Sequence, residues 1–509
     1  MDAPKAEAVT LRSSPLPPPA IVNVKENCPW ITASGVVFLF LAIVFITVRL
    51  LNLVIFCLDS DEIFSVSLAH QSWRALFHVA GYDVVHPPLF YMILKLWIDA
   101  GGFGAVWVRL LPALFSFASL IPFYYLCRSL RLSLWQTNFA LALLCLSVDQ
   151  VFHAQYVRMY SLLFLLSLCS YCAFIKYLES ETGRWRALVI LSVVNVLVVY
   201  AHYYGWAVVA CQGLCLLLID RKKLAGFIWF TLAVVACFMP WLLWVWRFAA
   251  MKGGLKQNIG WIPHPKLIDL LGYYAGLTGP LAWPVISGIF LAVCGGILYI
   301  GSRRLARVRT AVDRWRIPLL LIAALLPPVA SFVISQFASE SIWGSRHLIV
   351  SAVPYYILMA LALSFLPIQR FRPMAALLVA AWGVVGTIHV IHPQLRVNYE
   401  VLVKQMVARE PGPERLRLVG LDCYLGYPLG YFLDQQAPGR WVAGRVKGMD
   451  EAYAIKDRHF WLAYHAERWK SDPPRQLLTQ RGYRVGLGIV VTDQWARIIA
   501  YPVWQPAER

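Results

Sequence analysis

The chain is poor in charge. Only 14% of its 509 residues are Asp, Glu, Lys or Arg, against 59% apolar ones, and its mean hydropathy is +0.61. A water-soluble globule has no use for that balance. Acidic residues are scarcest, 27 against 46 Lys and Arg, leaving a formal charge of +19. No Walker-type glycine loop is present, which argues against phosphate handling of the P-loop kind. No basic run interleaved with aromatics forms a nucleic-acid stripe, so nucleic acid is not an expected partner. The eleven cysteines fall mostly inside apolar runs. Cys169/Cys172 and Cys211/Cys215 have helical spacing, but no histidine is interleaved as a zinc motif needs. Cys423 is the only cysteine after Cys294, so the tail holds no internal disulfide. An internal repeat of the transporter kind is also lacking.

What is present is a series of apolar runs long enough to cross ~30 Å of hydrocarbon. They must be helices, because backbone groups in lipid find partners only within their own segment. The fold class is therefore a polytopic α-helical membrane protein with about eleven spans: 31–57, 105–127, 134–150, 156–178, 186–201, 204–219, 224–247, 282–300, 317–336, 346–366 and 373–391. Residues 1–27, rich in Pro and Ser, read as a disordered cytoplasmic segment. The first run is too long for a signal-peptide core and reads as a retained anchor.

Loop charge sets the orientation. With the amino terminus inside, the inner loops carry Arg128 and Arg131; Lys176, Arg184 and Arg186; Arg221, Lys222 and Lys223; six arginines between Arg303 and Arg316; and Arg370 and Arg372. The outer loops carry far fewer, which is the positive-inside pattern of a bacterial-type inner or plasma membrane. Counting 87–102 as a span would invert every later loop, so it reads as an interfacial helix, with Lys95 and Trp97 snorkelling to the headgroups. Residues 62–79 read as an amphipathic helix capped by Asp59 or Ser60, with Ile63, Val66, Trp73 and Phe77 toward lipid. The first external loop, 59–104, is thus structured and acidic. A second, 248–281, carries Lys252, Gly253, Gly254, Lys256, Trp261, His264 and Lys266 and has the composition of a mobile lid. After residue 391 the long apolar runs stop. Residues 392–509 read as a small extracytoplasmic α/β domain, with strands at 415–421, 440–443, 459–464 and 484–491 and helices at 425–434 and 474–481.

The chemistry-bearing residues gather at the outer ends of the spans. Asp59, Asp61 and Glu62 directly follow the first run, and a carboxylate at that boundary suits a general base; a helix cap plus solvated acids is the structural alternative. Asp83 and His86 precede Pro87-Pro88, whose rings hold His86 outside helical geometry. Asp83 and His86 could ligate a divalent metal, orient a substrate or meet a phosphate; no other cofactor is implied. His153, Gln155, Tyr156, Arg158 and Tyr160 form a third cluster, where a guanidinium among tyrosines suits a phosphate or a sugar hydroxyl. His202-Tyr203-Tyr204 and Arg346-His347 stand at two further outer ends. A cationic rim beside an acidic loop fits a lipid phosphate held while a carboxylate activates an acceptor. The absence of an inner acidic pair favours a lipid-linked over a nucleotide-linked donor.

Together Asp61-Glu62, His86-Pro87-Pro88, Gln155 with Arg158-Met159-Tyr160, His202-Tyr203-Tyr204-Gly205 and Arg346-His347-Leu348 resemble glycosyltransferase family 39, the protein O-mannosyltransferases and their bacterial relatives. The layout is also similar to the lipid A aminoarabinose transferases. The resemblance covers about residues 30–390. It implies a GT-C fold and an inverting transferase using a polyprenyl-phosphate sugar in an extracytoplasmic site. The acceptor would be a hydroxyl or amine on a lipid, glycan or protein. By this resemblance Asp61 is the base with Glu62 beside it, and Arg158 and Arg346 contact the donor phosphate, with His86 and Lys256 as further candidates. Asp83, Tyr160, His202, Tyr203 and His347 are candidate substrate contacts. The chain departs from the pattern at Tyr156, where many bacterial members carry an acid, so no role is carried onto that position. A lipid-linked-sugar flippase is the alternative; it would call for charges along span interiors and repeat symmetry.

Overall fold

A computed structural model describes residues 33–506 apart from 52, 54–56, 182–183, 252–258, 261, 279–283, 306–312, 367–370, 392–397, 422–424, 447, 470–472 and 493–496. The expected disordered segment 1–27, Lys256 and the lid glycines Gly253 and Gly254 lie outside the described residues.

Each expected apolar run contains a helix among its described residues. The elements that build the membrane part are α1 (Ala33–Leu50), α5 and α6 (Ala105–Ala118, Leu120–Ser129), α7 (Leu134–Cys145), α8 (Val148–Ala154), α9 (Tyr160–Glu179), α10 (Arg184–Ala201), α11 (Gly205–Ile219) and α12 (Arg221–Met251). They continue with α13 (Leu267–Thr278), α14 (Pro284–Leu305), α15 (Asp313–Phe337), a 3-10 turn at Ser345–Ser351 running into α16 (Ala352–Ser364), and α17 (Phe371–Ile391). Against the eleven expected spans, seven helices among the described residues are long and apolar enough to cross a membrane, or eight if α7 and α8, bent by 65°, form one span; the expected spans 204–219, 282–300 and 373–391 hold only shorter apolar helices. The bend sits at Leu146-Ser147, and it turns the chain toward the site that α8 leads into.

A charge inside such a bundle needs partners. Arg49, at the end of α1, donates to Ser116 Oγ (3.0 Å), Phe45 O (3.2 Å) and Leu144 O (3.0 Å), and its guanidinium lies over the Phe45 ring. One side chain thereby ties α1, α5 and α7. Gln155 closes the same helix end by donating to Leu51 O (2.6 Å) and Arg49 O (3.1 Å), two of the carbonyls a helix terminus leaves open.

The first loop holds three helices rather than the expected two: α2 (Ser60–Ala69), α3 (Trp73–Asp83) and α4 (Leu89–Gly101). Asp59 caps α2 through Asp61 N and Glu62 N, and Glu62 reciprocates as a capping box. Ser72 starts α3 by accepting from Ala75 N, a second cap that divides the expected helix 62–79. Ile63 and Val66 do not face lipid; both are buried, because α2 packs on α3 and α4. Lys95 does not snorkel either. It is 7% exposed, lies over the Trp73 ring, and pairs with Asp99 at 3.4 Å. Trp97 stacks on Trp107 at 4.3 Å, and each indole N–H donates to the other residue's carbonyl, pinning α4 to α5.

The tail contains α18 (Tyr399–Arg409), β1 (Leu416–Gly420), α19 (Gly426–Gln436), β2 (Trp441–Arg445), α20 (Met449–Tyr453), β3 (His459–His465), α21 (Pro474–Gln480), β4 (Arg484–Val485), β5 (Ile489–Thr492) and β6 (Arg497–Trp504). The sheet order is β2-β1-β3-β6-β4 with β5 also on β6; β1 runs parallel to β2 and β3, and β6 antiparallel to its neighbours. The expected strand 484–491 divides into β4 and β5, and β6 was not expected. Pro502 disguises it, since proline in a sequence argues against an inner strand. The sheet domain meets the membrane part through α19, which packs on α2. Tyr399 at the start of α18 brings its hydroxyl to 3.4 Å from Ser60 Oγ.

Candidate active site

Five separate stretches converge: the head of α2, the α3–α4 turn, the turn between α8 and α9, the α10–α11 junction and the Ser345–Ser351 turn. The cap on Asp59 projects Asp61 from the first turn of α2. Its Oδ2 accepts from Tyr156 OH at 3.2 Å and from Arg346 Nη1 at 3.3 Å. The Asp61 side chain is 40% exposed and Arg346 29%, so this carboxylate is held and still open to an incoming group.

Burial by itself would raise the Asp61 pKa, but Arg158, Arg346, His86 and the Tyr156 hydroxyl together outweigh it and hold the carboxyl below the usual range. Asp61 therefore stays ionised as pH falls through values that protonate ordinary carboxylates. An activity that needs this carboxylate should have its acid limb below that range. In Arg346→Gln, which deletes one facing cation, the limb should move to higher pH. A pH profile of kcat/KM for both proteins checks this, and an unmoved limb would show that another group titrates there.

Glu62, one residue on, is wholly buried. Arg109 of α5 grips it in a fork, Nε to Oε1 at 2.9 Å and Nη2 to Oε2 at 2.6 Å. Asp59 N donates to Oε2 (3.1 Å) and Val157 N to Oε1 (3.3 Å). The same guanidinium donates to Cys57 O at 2.8 Å. This knot fastens the Asp61 turn to the turn that carries Arg158.

Arg158 is 4% exposed. Its Nη1 donates to Tyr91 OH (3.2 Å) and to Ser65 Oγ (3.4 Å), and Nη2 stands 3.3 Å from His86 Nε2. A guanidinium has no acceptor, so His86 Nε2 accepts from it. His86 Nδ1–H then donates to Asp83 Oδ2 at 2.8 Å. Burial first, and the Arg158 charge second, lower the His86 pKa against the opposing pull of Asp83, which keeps the ring neutral in that tautomer. Val84, in the left-handed region at φ 63°, ends α3 and turns the chain into Pro87-Pro88, setting His86 against Arg158.

This donor set does not fit a divalent cation at Asp83 and His86. The two side chains are bonded to each other, and the second His86 nitrogen faces a guanidinium. Among the described residues no group of three His, Cys, Asp or Glu is arranged to hold a metal.

The remaining expected residues divide. Tyr160 opens α9, and its ring lies near His202 and His347, at 6.3 and 6.1 Å between centroids. His202 and His347 belong to the same wall. Tyr203 does not: its hydroxyl donates to Val84 O (3.0 Å) and accepts from Trp241 Nε1 (3.2 Å), so it clamps the α3–α4 turn to α12. Sequence reasoning missed Arg109, Tyr91 and Ser65. Arg109 carried a signal, a cation inside an apolar run; Tyr91 and Ser65 carried none.

Beyond Pro88 lies an open apolar groove of about 500 Å³ lined by Phe77, Pro88, Met92, Tyr200, Pro240, Trp241 and Trp244. It runs between α3, α4, α10 and α12 and begins one residue from the His86-Pro87 step.

No protein-family model matches the chain, and no curated protein matches it in sequence. Solved structures do. ArnT from Cupriavidus metallidurans in the apo state is 14% identical, with TM-score 0.55 over 92% of this chain and 97% of that one. Its form bound to undecaprenyl phosphate gives 13%, TM-score 0.56, and coverage of 92% and 98%. An Archaeoglobus fulgidus oligosaccharyltransferase in complex with an inhibitory peptide and a dolichol-phosphate gives 13%, TM-score 0.52, and coverage of 85% and 69%. At these identities the likeness is one of fold: the chain has the GT-C membrane fold.

Proposed function

We propose that this protein is an inverting glycosyltransferase that moves a sugar from a polyprenyl-phosphate donor to a hydroxyl or amine acceptor at the extracytoplasmic face of the membrane. The observation that carries this reading is a half-exposed Asp61 carboxyl held by Arg346 and Tyr156, in one site with the buried cation Arg158. The fold it shares with proteins solved with undecaprenyl phosphate and with dolichol-phosphate supports a lipid-linked donor. So does the apolar groove that starts at Pro88, two residues from His86, and basic loops on the opposite side support the sidedness.

In the proposed step Asp61 takes the acceptor proton as the acceptor atom attacks the anomeric carbon. The bond from that carbon to the phosphate oxygen breaks, and its electron pair leaves with polyprenyl phosphate. A single in-line displacement inverts the centre. Arg158 and Arg346 stabilise the phosphate charge as it grows. Arg158 is preset for this by Tyr91, Ser65 and the Asp83–His86 pair, so His86 serves as a positioning residue. Glu62, locked by Arg109, positions Asp61 rather than meeting substrate.

The test is release of free polyprenyl phosphate. Purified protein in proteoliposomes receives undecaprenyl-phosphate sugars and a total envelope extract as acceptor. Accumulating undecaprenyl phosphate with label in the extract supports transfer, whereas intact donor that only changes leaflet would mark a flippase. The groove gives a second test. Met92→Glu places a charge against a polyprenyl tail, and should weaken binding of undecaprenyl phosphate by about tenfold or more. Binding of citronellyl phosphate, too short to fill the groove, should stay within about threefold of the parent. Equal loss for both ligands would place the tail elsewhere.

A further inference from the structure

A second set of side chains, unused by the proton transfer and the phosphate contacts, connects the surroundings of the two guanidinium groups. His202, at the α10–α11 junction, is 3% exposed, and His347, in the Ser345–Ser351 turn, is 7% exposed. Their rings stand 4.9 Å apart, His202 is 5.9 Å from His86, and the Tyr204 ring lies 5.2 Å from His347. The wall thus runs from His86, which touches Arg158, to the residue next to Arg346.

Three of its polar atoms lack partners among the described residues. Tyr204 N donates to His202 Nδ1 at 3.1 Å, so the neutral ring carries its proton on Nε2. That Nε2–H, and both nitrogens of His347, find no hydrogen-bond partner among the described residues. Burial, followed by the nearby His86, Arg158 and Arg346, pushes the His202 pKa well below its ordinary value, so the ring stays uncharged. Buried polar atoms left unpaired are costly, and three of them converging from two elements make sense if a ligand supplies the partners. The ligand must be polar, neutral, and able both to donate and to accept.

We propose that His202 and His347 read the hydroxyl groups of the donor sugar, a role that rests on the polyprenyl-phosphate reading above. The flanking Tyr160 and Tyr204 rings offer faces to a pyranose, and the imidazoles offer two donors and one acceptor. Gly344 sets the ring of His347: a Cβ there would come within 2.8 Å of its Nδ1. A side chain at 344 would therefore displace the imidazole without removing it.

The experiment measures binding by the full-length protein in nanodiscs of undecaprenyl phosphate and of undecaprenyl phosphate carrying mannose, glucose or galactose. The parent should separate the three epimers by at least about tenfold, the scale of a site built to pair specific hydroxyls. In His202→Ala and His347→Gln the spread should collapse to about threefold or less. Affinity for bare undecaprenyl phosphate should stay within about threefold in both. Gly344→Ala should narrow the spread in the same way. A parent that does not separate the epimers, or variants that retain its spread, would overturn the proposal, as would equal loss of bare undecaprenyl phosphate. A parent that binds no undecaprenyl phosphate at all would instead strike the donor assignment itself.

Discussion

Replacing Asp61 by asparagine should leave a folded protein that binds undecaprenyl phosphate within about threefold of the parent and is nearly inactive. Loss of a positioned general base typically costs ~10²–10⁴-fold in rate. The side chain is partly exposed and its replacement is isosteric, so the fold should tolerate it. The hydroxyl of Tyr156 still has an amide oxygen to donate to. What disappears is the negative charge that Arg346 faces at 3.3 Å and the site that takes the acceptor's proton. Single-turnover release of undecaprenyl phosphate is the readout, paired with binding of the same lipid. Activity within about threefold of the parent would remove Asp61 from the mechanism, whatever became of binding.

The second large effect is expected at Arg109, a wholly buried residue. Arg109→Ala strands the Glu62 carboxylate, buried and without its counter-ion. Breaking a buried pair from one side costs ~3–5 kcal/mol, mostly from the uncompensated charge. The parent's fork also holds Cys57 O and, through Glu62, the amides of Asp59 and Val157. Its loss should therefore lower the thermal midpoint in detergent and speed amide exchange in the first turn of α2. Activity should fall by about tenfold or more, because Asp61 and Arg158 are no longer fixed to one another. Converting both partners, Arg109→Met with Glu62→Leu, removes the stranded charge and should restore much of the midpoint. Activity should not return with it, since the tether is still absent. Recovery of both together would mean that the pair serves stability alone.

Particular residues show where sequence reasoning was sufficient. The cap at Asp59 was legible because Asp and Ser before an apolar stretch, with Glu three residues on, form a local pattern. The clusters around His86, Arg158, His202 and Arg346 were legible for a different reason. Each stands at the end of an apolar run, and the alternation of basic loops assigns all of them to one side of the membrane. Two corrections have one physical source. Ile63 and Val66 were expected toward lipid, and Lys95 toward headgroups, but all three are buried within the loop helices. In a membrane protein an apolar face is equally at home against lipid or against a neighbouring helix, so periodicity cannot tell the two apart.

Sequence by itself determined the class, the helical runs, the polar ends of the spans and the carboxylate at the head of α2, since hydropathy, capping and charge bias are properties of neighbouring residues. Tertiary structure alone decided the division of labour between Asp61 and Glu62. The two are adjacent in the chain and chemically alike, yet one faces Arg346 in a half-open site and the other is sealed against Arg109. It also decided that the histidines of two distant stretches share a wall. Those facts depend on contacts between residues 47 to 285 positions apart in the chain, which no local pattern encodes.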